Sequence, residues 1–170
     1  MADPDHIDRL LERLASMPGV DRVDPLVEGI SDRISVINRR FMLRSKETLD
    51  AHGITWRDWQ VLTNLLVAGE TPISPSDLSS RLMVTTGAMT NVLDRLEQRG
   101  LIRRVRNAAD RRSVIVEATE AGARLWHVAV NELGVEEADA VHALTRKEQE
   151  QLNALLRKLL AAFPRDEDDS

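Results

Sequence analysis

The sequence predicts a mainly helical fold with one small β-hairpin, and three observations predict it. Apolar residues recur at steps of three and four over most of the chain. Between Leu101 and Ala118 that period gives way to two short runs rich in β-branched residues. Cap residues and glycines punctuate the periodic runs where helices should begin and end.

The elements follow in order. Ile7, Leu10, Leu11 and Leu14 make one helical stripe over residues 6–16, ended by Pro18 and Gly19. A second helix runs from Pro25 to Ala51, with Leu26, Ile30, Ile34, Ile37 and Phe41 in step and Gly53 closing it. Thr55 caps a third, with Asp58 three residues on as in a capping box, and Trp56, Trp59, Leu62, Leu65 and Leu66 as its apolar face. Thr71-Pro72-Ile73 reads as extended. Ser74-Pro75-Ser76-Asp77 supplies a cap, a first-turn proline and an acid for a short helix to Leu82. Met83-Val84 turns the chain, and Thr85 caps a helix to Arg99, stopped by Gly100. Leu101–Arg106 and Ser113–Ala118 read as strands around a six-residue polar tip, Asn107 to Arg112. Thr119 caps a long helix to about Ala143. Thr145 and Glu148 make a second capping box before the stripe Leu152, Leu155, Leu156, Leu159, Leu160 and Phe163.

Composition narrows the function. The 170 residues are 42% hydrophobic and 30% charged, ordinary for a globular protein. Aromatic content is 3%, without tyrosine, which disfavours a base-stacking surface for single strands or RNA. The absence of cysteine removes disulfides, thiolate metal sites and thiol nucleophiles. His6, His52, His127 and His142 are scattered without ligand spacing, so no metal is expected. There is no phosphate loop, nucleophile elbow or HExxH, and neither an enzyme nor a cofactor is expected. A charged N-terminus and the lack of a long apolar run lead to the expectation of a cytoplasmic protein without a membrane partner.

Net charge is −5, yet residues 81–112 hold eight arginines against three carboxylates, a net of +5, leaving −10 elsewhere. A basic patch on an acidic body suits a protein that turns one face to an anion; the opposing reading is a solvated arginine-rich surface. Helix, tight turn, helix and hairpin from Ser74 to Thr119 form a winged helix-turn-helix pattern. Met89, Val92, Leu93 and Leu96 would bury one side of its second helix. Thr86, Gly87, Thr90, Asn91, Asp94 and Arg95 would face outward, small enough near the N-terminus to approach a major groove. Asn91 suits adenine and Arg95 suits phosphate. The hairpin tip, Asp110, Arg111 and Arg112, would lie at the minor groove, with Asp110 holding an arginine such as Arg95 or Arg112. With the cap Thr85, these are the candidate DNA-binding residues.

The run Leu78 to Gly122 resembles the multiple antibiotic resistance regulator (MarR) family. Asp94-Arg95-Leu96-Glu97-Gln98-Arg99-Gly100-Leu101-Ile102 and the wing Asp110-Arg111-Arg112-Ser113, followed by Thr119 and Gly122, carry the resemblance. It extends more loosely, by helix order, from Leu26 to Phe163. It implies a homodimer binding a pseudo-palindromic operator in duplex DNA. The implied division is an N-terminal extension (1–24), dimerisation helices (25–54 and 119–163), a winged helix-turn-helix DNA-binding lobe (55–118) and a disordered acidic tail (164–170). Many members carry arginines where this chain has Thr86 and Asn91. The first helix is similar to the extension of the urate-responsive subgroup. It lacks that subgroup's pocket tryptophan, however, and Gln60 stands where an acid is expected, so urate is not assigned. Trp56 and Trp59 fall where the family places an effector-pocket wall, with Asn38, Arg39 and His127 as candidate polar groups; plain core packing is the competing reading. The expected function is a transcription regulator acting as a repressor, released by a small aromatic or anionic effector. The alternatives are a ligand-independent regulator and a winged-helix protein-interaction module.

Overall fold

The computed structural model describes residues 4–20, 22–107 and 113–163. The chain divides into two compact units, one ending at Ser45 and one beginning at Lys46. Its elements are α1 (His6–Ala15), α2 (Pro25–Ala51), α3 (Trp56–Val67), α4 (Pro75–Arg81), α5 (Thr86–Gln98), β1 (Ile102–Arg106), β2 (Val114–Ala118), α6 (Glu120–Val141) and α7 (Arg146–Leu160). This is the helical fold with one hairpin that the periodicity predicts. The strands each start one residue later than expected, and α6 ends two residues earlier.

In the first unit, α1 buries Ile7 and Leu11. Its N-cap is Asp5, whose carboxylate accepts from the N–H groups of Ile7 and Asp8 at 2.8 and 3.0 Å. Arg33 of α2 binds Asp5 (3.0 Å) and Asp8 (2.6 Å), so one guanidinium fixes the first turn of α1. Between the two helices lies a recess of about 490 Å³ floored by Leu11, Leu26 and Ile30 and edged by Asp8, Glu12 and Arg33.

The second unit is built around α3. Val61, Leu62 and Leu65 of α3 are buried with Leu49, Ile54, Leu78, Met89, Leu93, Leu96 and Ala129 in one core. Trp59 joins that core, but Trp56 does not: it remains 38% exposed while Asp58 is turned inward at 1%. The expected α3 face is corrected accordingly, since the cap at Thr55 draws Asp58 rather than Trp56 toward the interior. The hairpin is antiparallel, with Ile102 opposite Ala118 and Arg106 opposite Val114. The extended piece at Ile73 adds an isolated bridge to Val116, whose N–H donates to the Ile73 carbonyl at 2.8 Å. Thr119 joins α6 to the start of the hairpin: its N–H donates to the Leu101 carbonyl (3.0 Å) and its hydroxyl to that of Gly100 (2.6 Å). α7 has the amphipathic pattern expected but buries none of its residues within this chain.

Candidate nucleic-acid interface

Three helices position the site. α4 begins on Ser74, which accepts from the Asp77 N–H (3.2 Å) while the Asp77 carboxylate accepts from the Ser74 N–H (2.8 Å). The Ser74 N–H first, and second its hydroxyl, which donates to the same carboxylate at 2.7 Å, lower the Asp77 pKa. α4 ends in a Schellman motif. The N–H of Met83 donates to Ser80 (2.9 Å) and that of Val84 to Ser79 (3.0 Å), with Met83 left-handed at φ 48°. α5 then starts on Thr85, whose hydroxyl accepts from the Ala88 N–H at 3.3 Å.

α5 divides as the sequence predicts: Met89, Val92, Leu93 and Leu96 are buried. Thr85, Thr86, Gly87, Thr90, Asn91 and Arg95 are exposed along the other side. Thr90 donates its hydroxyl to the Thr86 carbonyl at 2.9 Å. Asp94, expected among the outward residues, is instead half-buried and bound to Arg104 of β1 at 2.6 Å; Glu97 binds the same guanidinium at 2.5 Å. Burial works against the Arg104 charge, but hydrogen bonds to the two carboxylates outweigh it and raise its pKa.

Arg95 is the second difference. It donates to Asp58 of α3, 2.5 Å away, a partner the sequence does not show. Asp110, Arg111 and Arg112 lie outside the described residues. The neighbour of Asp58, Arg57, donates to the Leu82 carbonyl at 2.9 Å. Adjacent residues of α3 thus grip both helices of the helix-turn-helix. Arg99 caps the end of α2 through the carbonyls of Gly53 (2.6 Å) and His52 (3.4 Å). The basic patch is therefore partly structural: Arg95, Arg99, Arg103 and Arg104 all have internal partners, and Arg81 and Arg106 are exposed.

Of the candidate effector residues, the structure brings Trp59 and His127 together through a residue the sequence reading passed over, Trp126. The Trp59 and Trp126 rings stack with centroids 5.8 Å apart and planes 13° off parallel. His127 meets Trp126 edge-on at 5.1 Å. The Trp126 indole N–H donates to the Thr63 hydroxyl at 2.9 Å, and the side-chain oxygen of Gln60 is buried without a hydrogen-bond partner among the described residues. Trp126 is one of only three tryptophans, which is the signal that would have found it. Asn38 and Arg39 are exposed and belong to the first unit. The recess of the first unit is lined by none of these five candidates. Among the described residues no cluster of His, Asp and Glu has metal-binding geometry, and no helix is long and apolar enough to cross a membrane.

Comparison with known proteins matches this geometry. The model of the MarR family matches residues 54–114, from the start of the α3 turn to the second strand. The regulator PecS of Dickeya dadantii is 32% identical over 143 residues, covering 84% of each chain. The structure of a cysteine-to-serine mutant of Escherichia coli MarR superposes with a TM-score of 0.68 at 30% identity, covering 82% of this chain and 99% of that one. A point mutant of Staphylococcus aureus MepR, solved bound to an oligodeoxyribonucleotide, has a TM-score of 0.59 at 25% identity, covering 78% of this chain and 96% of that one. Winged helix-turn-helix geometry, family-model match and similarity over most of both chains agree: this chain belongs to the MarR family of DNA-binding transcription regulators, a family of regulators rather than enzymes.

Proposed function

We propose that this protein is a cytoplasmic, non-enzymatic homodimeric repressor that reads a pseudo-palindromic operator with α5 and is released by a small aromatic or anionic effector. The observation that carries the reading is the row Thr86, Gly87, Thr90 and Asn91, exposed on a helix whose opposite side is locked into the core. Asn91 offers both an acceptor and a donor to adenine, and the threonine methyls suit thymine. Thr85 and Arg95 flank this row toward phosphate, Arg95 held in one geometry by Asp58. Asp110, Arg111 and Arg112 complete the reading at the minor groove.

Apolar exposure supports the dimer. Leu155, Leu156 and Leu160 of α7, with Phe163 just after it, are 43–73% exposed in the single chain, as are Leu26, Ile30 and Ile37 of α2 at 49–72%. Stripes this extensive are covered in a stable protein, and the occupant of each in this reading is a second copy of the chain. Two recognition helices would then meet successive major grooves about 34 Å apart. For the effector, the Trp59–Trp126 stack with the buried Gln60 oxygen, unpartnered among the described residues, supports an aromatic ligand that donates a hydrogen bond, near Trp56 and His127.

Fluorescence anisotropy tests the reading, with duplex DNA from upstream of the protein's own gene against a scrambled duplex over a salt series. Selective binding that weakens steeply with salt is the expected result. Asn91→Ala should change base preference by about 1–3 kcal/mol at one position of each half-site. Equal weak binding to both duplexes would instead favour protein recognition by the winged lobe.

A further inference from the structure

We infer that Met83, in the turn between α4 and α5, is a DNA-contacting residue that lays its side chain on the apolar sugar and thymine-methyl surface beside the recognition helix. The inference rests on the DNA-binding reading above.

The backbone is the first observation. Met83 occupies the position after the C-cap of α4 with φ 48°. That left-handed conformation brings Cβ against the backbone, and glycine is the residue that fills it without strain. The rest of this chain follows that rule: Gly53, Gly69 and Gly100, after α2, α3 and α5, have φ of 67°, 60° and 68°. Among the described residues Met83 is the one non-glycine at positive φ.

The side chain is the second observation. Nothing among the described residues compensates the strain by packing, because Met83 is 75% exposed. The turn is nevertheless held from both sides. The Schellman bonds to Ser79 and Ser80 close it, and Arg57 pins the preceding carbonyl of Leu82. A rigid, strained turn that displays a flexible apolar side chain to solvent is explained when the side chain meets a partner.

Position selects the partner. Met83 lies between exposed Arg81 and the exposed N-terminal residues of α5, Thr85, Thr86 and Gly87. That is the edge of the surface read above as facing the major groove. A thioether carries no charge, so its complement on DNA is the deoxyribose C–H surface and the thymine methyl, not phosphate.

The test compares the wild-type chain with Met83→Gly and Met83→Leu on one duplex recovered by the wild type from a randomised pool. Thermal unfolding and anisotropy over a salt series are both read. Met83→Gly should raise the Tm by about 2–4 °C as the strain is relieved. It should also weaken DNA binding about 3- to 10-fold through loss of an apolar contact. The slope of log K against log salt should not change, because no counterion is released by a methionine. Met83→Leu should keep the wild-type Tm and hold affinity within about twofold. Wild-type affinity in Met83→Gly, a lowered Tm, or a changed salt slope would each overturn the inference while leaving the DNA-binding reading intact. A wild-type chain that recovers no duplex from the pool overturns both.

Discussion

Arg95 of the recognition helix donates to the carboxylate of Asp58 at 2.5 Å, and the two ends of this pair live in different environments: Asp58 is 1% exposed and Arg95 44%. Asp58 also accepts from the N–H and hydroxyl of Thr55, each at 2.9 Å. One buried carboxylate therefore both starts α3 and holds α5.

The first prediction concerns that pair. Asp58→Ala should destabilise the protein by about 2–4 kcal/mol, since it removes a helix cap and a buried acceptor of a charged donor. Arg95→Ala should lose about 1–3 kcal/mol by stranding the buried carboxylate. Urea unfolding of the single and double variants should give a coupling of about 1 kcal/mol or more. Additive effects would mean that the contact contributes nothing of its own. In DNA titrations Arg95→Ala should reduce the salt slope by about 0.9, the signature of one phosphate contact. An unchanged slope would leave Arg95 as an internal brace only.

Much of the fold is legible in the sequence because its signals are local. The capping boxes Thr55–Asp58 and Thr145–Glu148 form as spaced, the Ser74, Thr85 and Thr119 caps form too, and Asp77 closes a further box on Ser74. Met89, Val92, Leu93 and Leu96 are buried as their period requires. The long-range use of charge is not legible. Asp58 reads as a cap, yet it also anchors an arginine 37 residues away. Asp94 reads as an outward residue, yet it faces a strand. The same carboxylate or guanidinium pattern serves solvent or a partner equally well, and only the crossing of α3, α5 and β1 decides which. Trp126 has the same problem: its place in α6 is periodic, but its stacking on Trp59 depends on how α6 meets α3.

Neighbouring arginines on β1 should behave differently. Arg104 has a side chain 26% exposed between two carboxylates, while Arg103 is 66% exposed and paired with Glu117. Arg104→Met should lower stability by about 1–2 kcal/mol and weaken DNA binding by loosening the hairpin from α5. Arg103→Met should stay within about 0.5 kcal/mol in the same urea titration, as exposed pairs do. Equal losses would show that the Asp94–Arg104–Glu97 cluster is no more than surface charge.

Two glycine substitutions should have opposite signs. A Cβ at Gly122 would lie 2.1 Å from the Leu101 carbonyl oxygen, where α6 crosses the start of the hairpin. Gly122→Ala must push α6 away from the backbone it is bonded to through Thr119, a loss of about 3 kcal/mol or more. A Cβ at Gly87, within α5, meets nothing within 4 Å. Gly87→Ala should therefore stabilise the free protein by up to about 1 kcal/mol through helix propensity. The same methyl stands on the surface proposed to approach DNA, so affinity should fall as the Tm rises. A Gly87→Ala variant that gains stability and keeps full affinity would move the close approach elsewhere on α5.

The acid limb of stability should come from helix starts. Asp77 is held below its ordinary pKa by the Ser74 N–H and hydroxyl, Glu148 by the Thr145 hydroxyl and N–H, and Asp5 by the Asp8 N–H. Burial of Asp5 opposes its shift and Arg33 adds to it. A carboxyl whose pKa is lower in the folded state binds fewer protons there than in the unfolded chain at the same pH. Its contribution is thus complete above the unfolded value, about 4, and is lost as pH falls through the lower folded value. The Tm contribution of these three caps should be constant from neutrality to about pH 5 and shrink below about pH 4. Asp77→Asn isolates one of them. Its Tm deficit relative to wild type should be constant above about pH 5 and close as the pH is lowered from about 4 through the depressed pKa of the wild-type carboxyl. A deficit that persists unchanged in acid would mean that Asp77 acts through shape and hydrogen bonding in either protonation state, and the acid limb would then belong to other carboxylates.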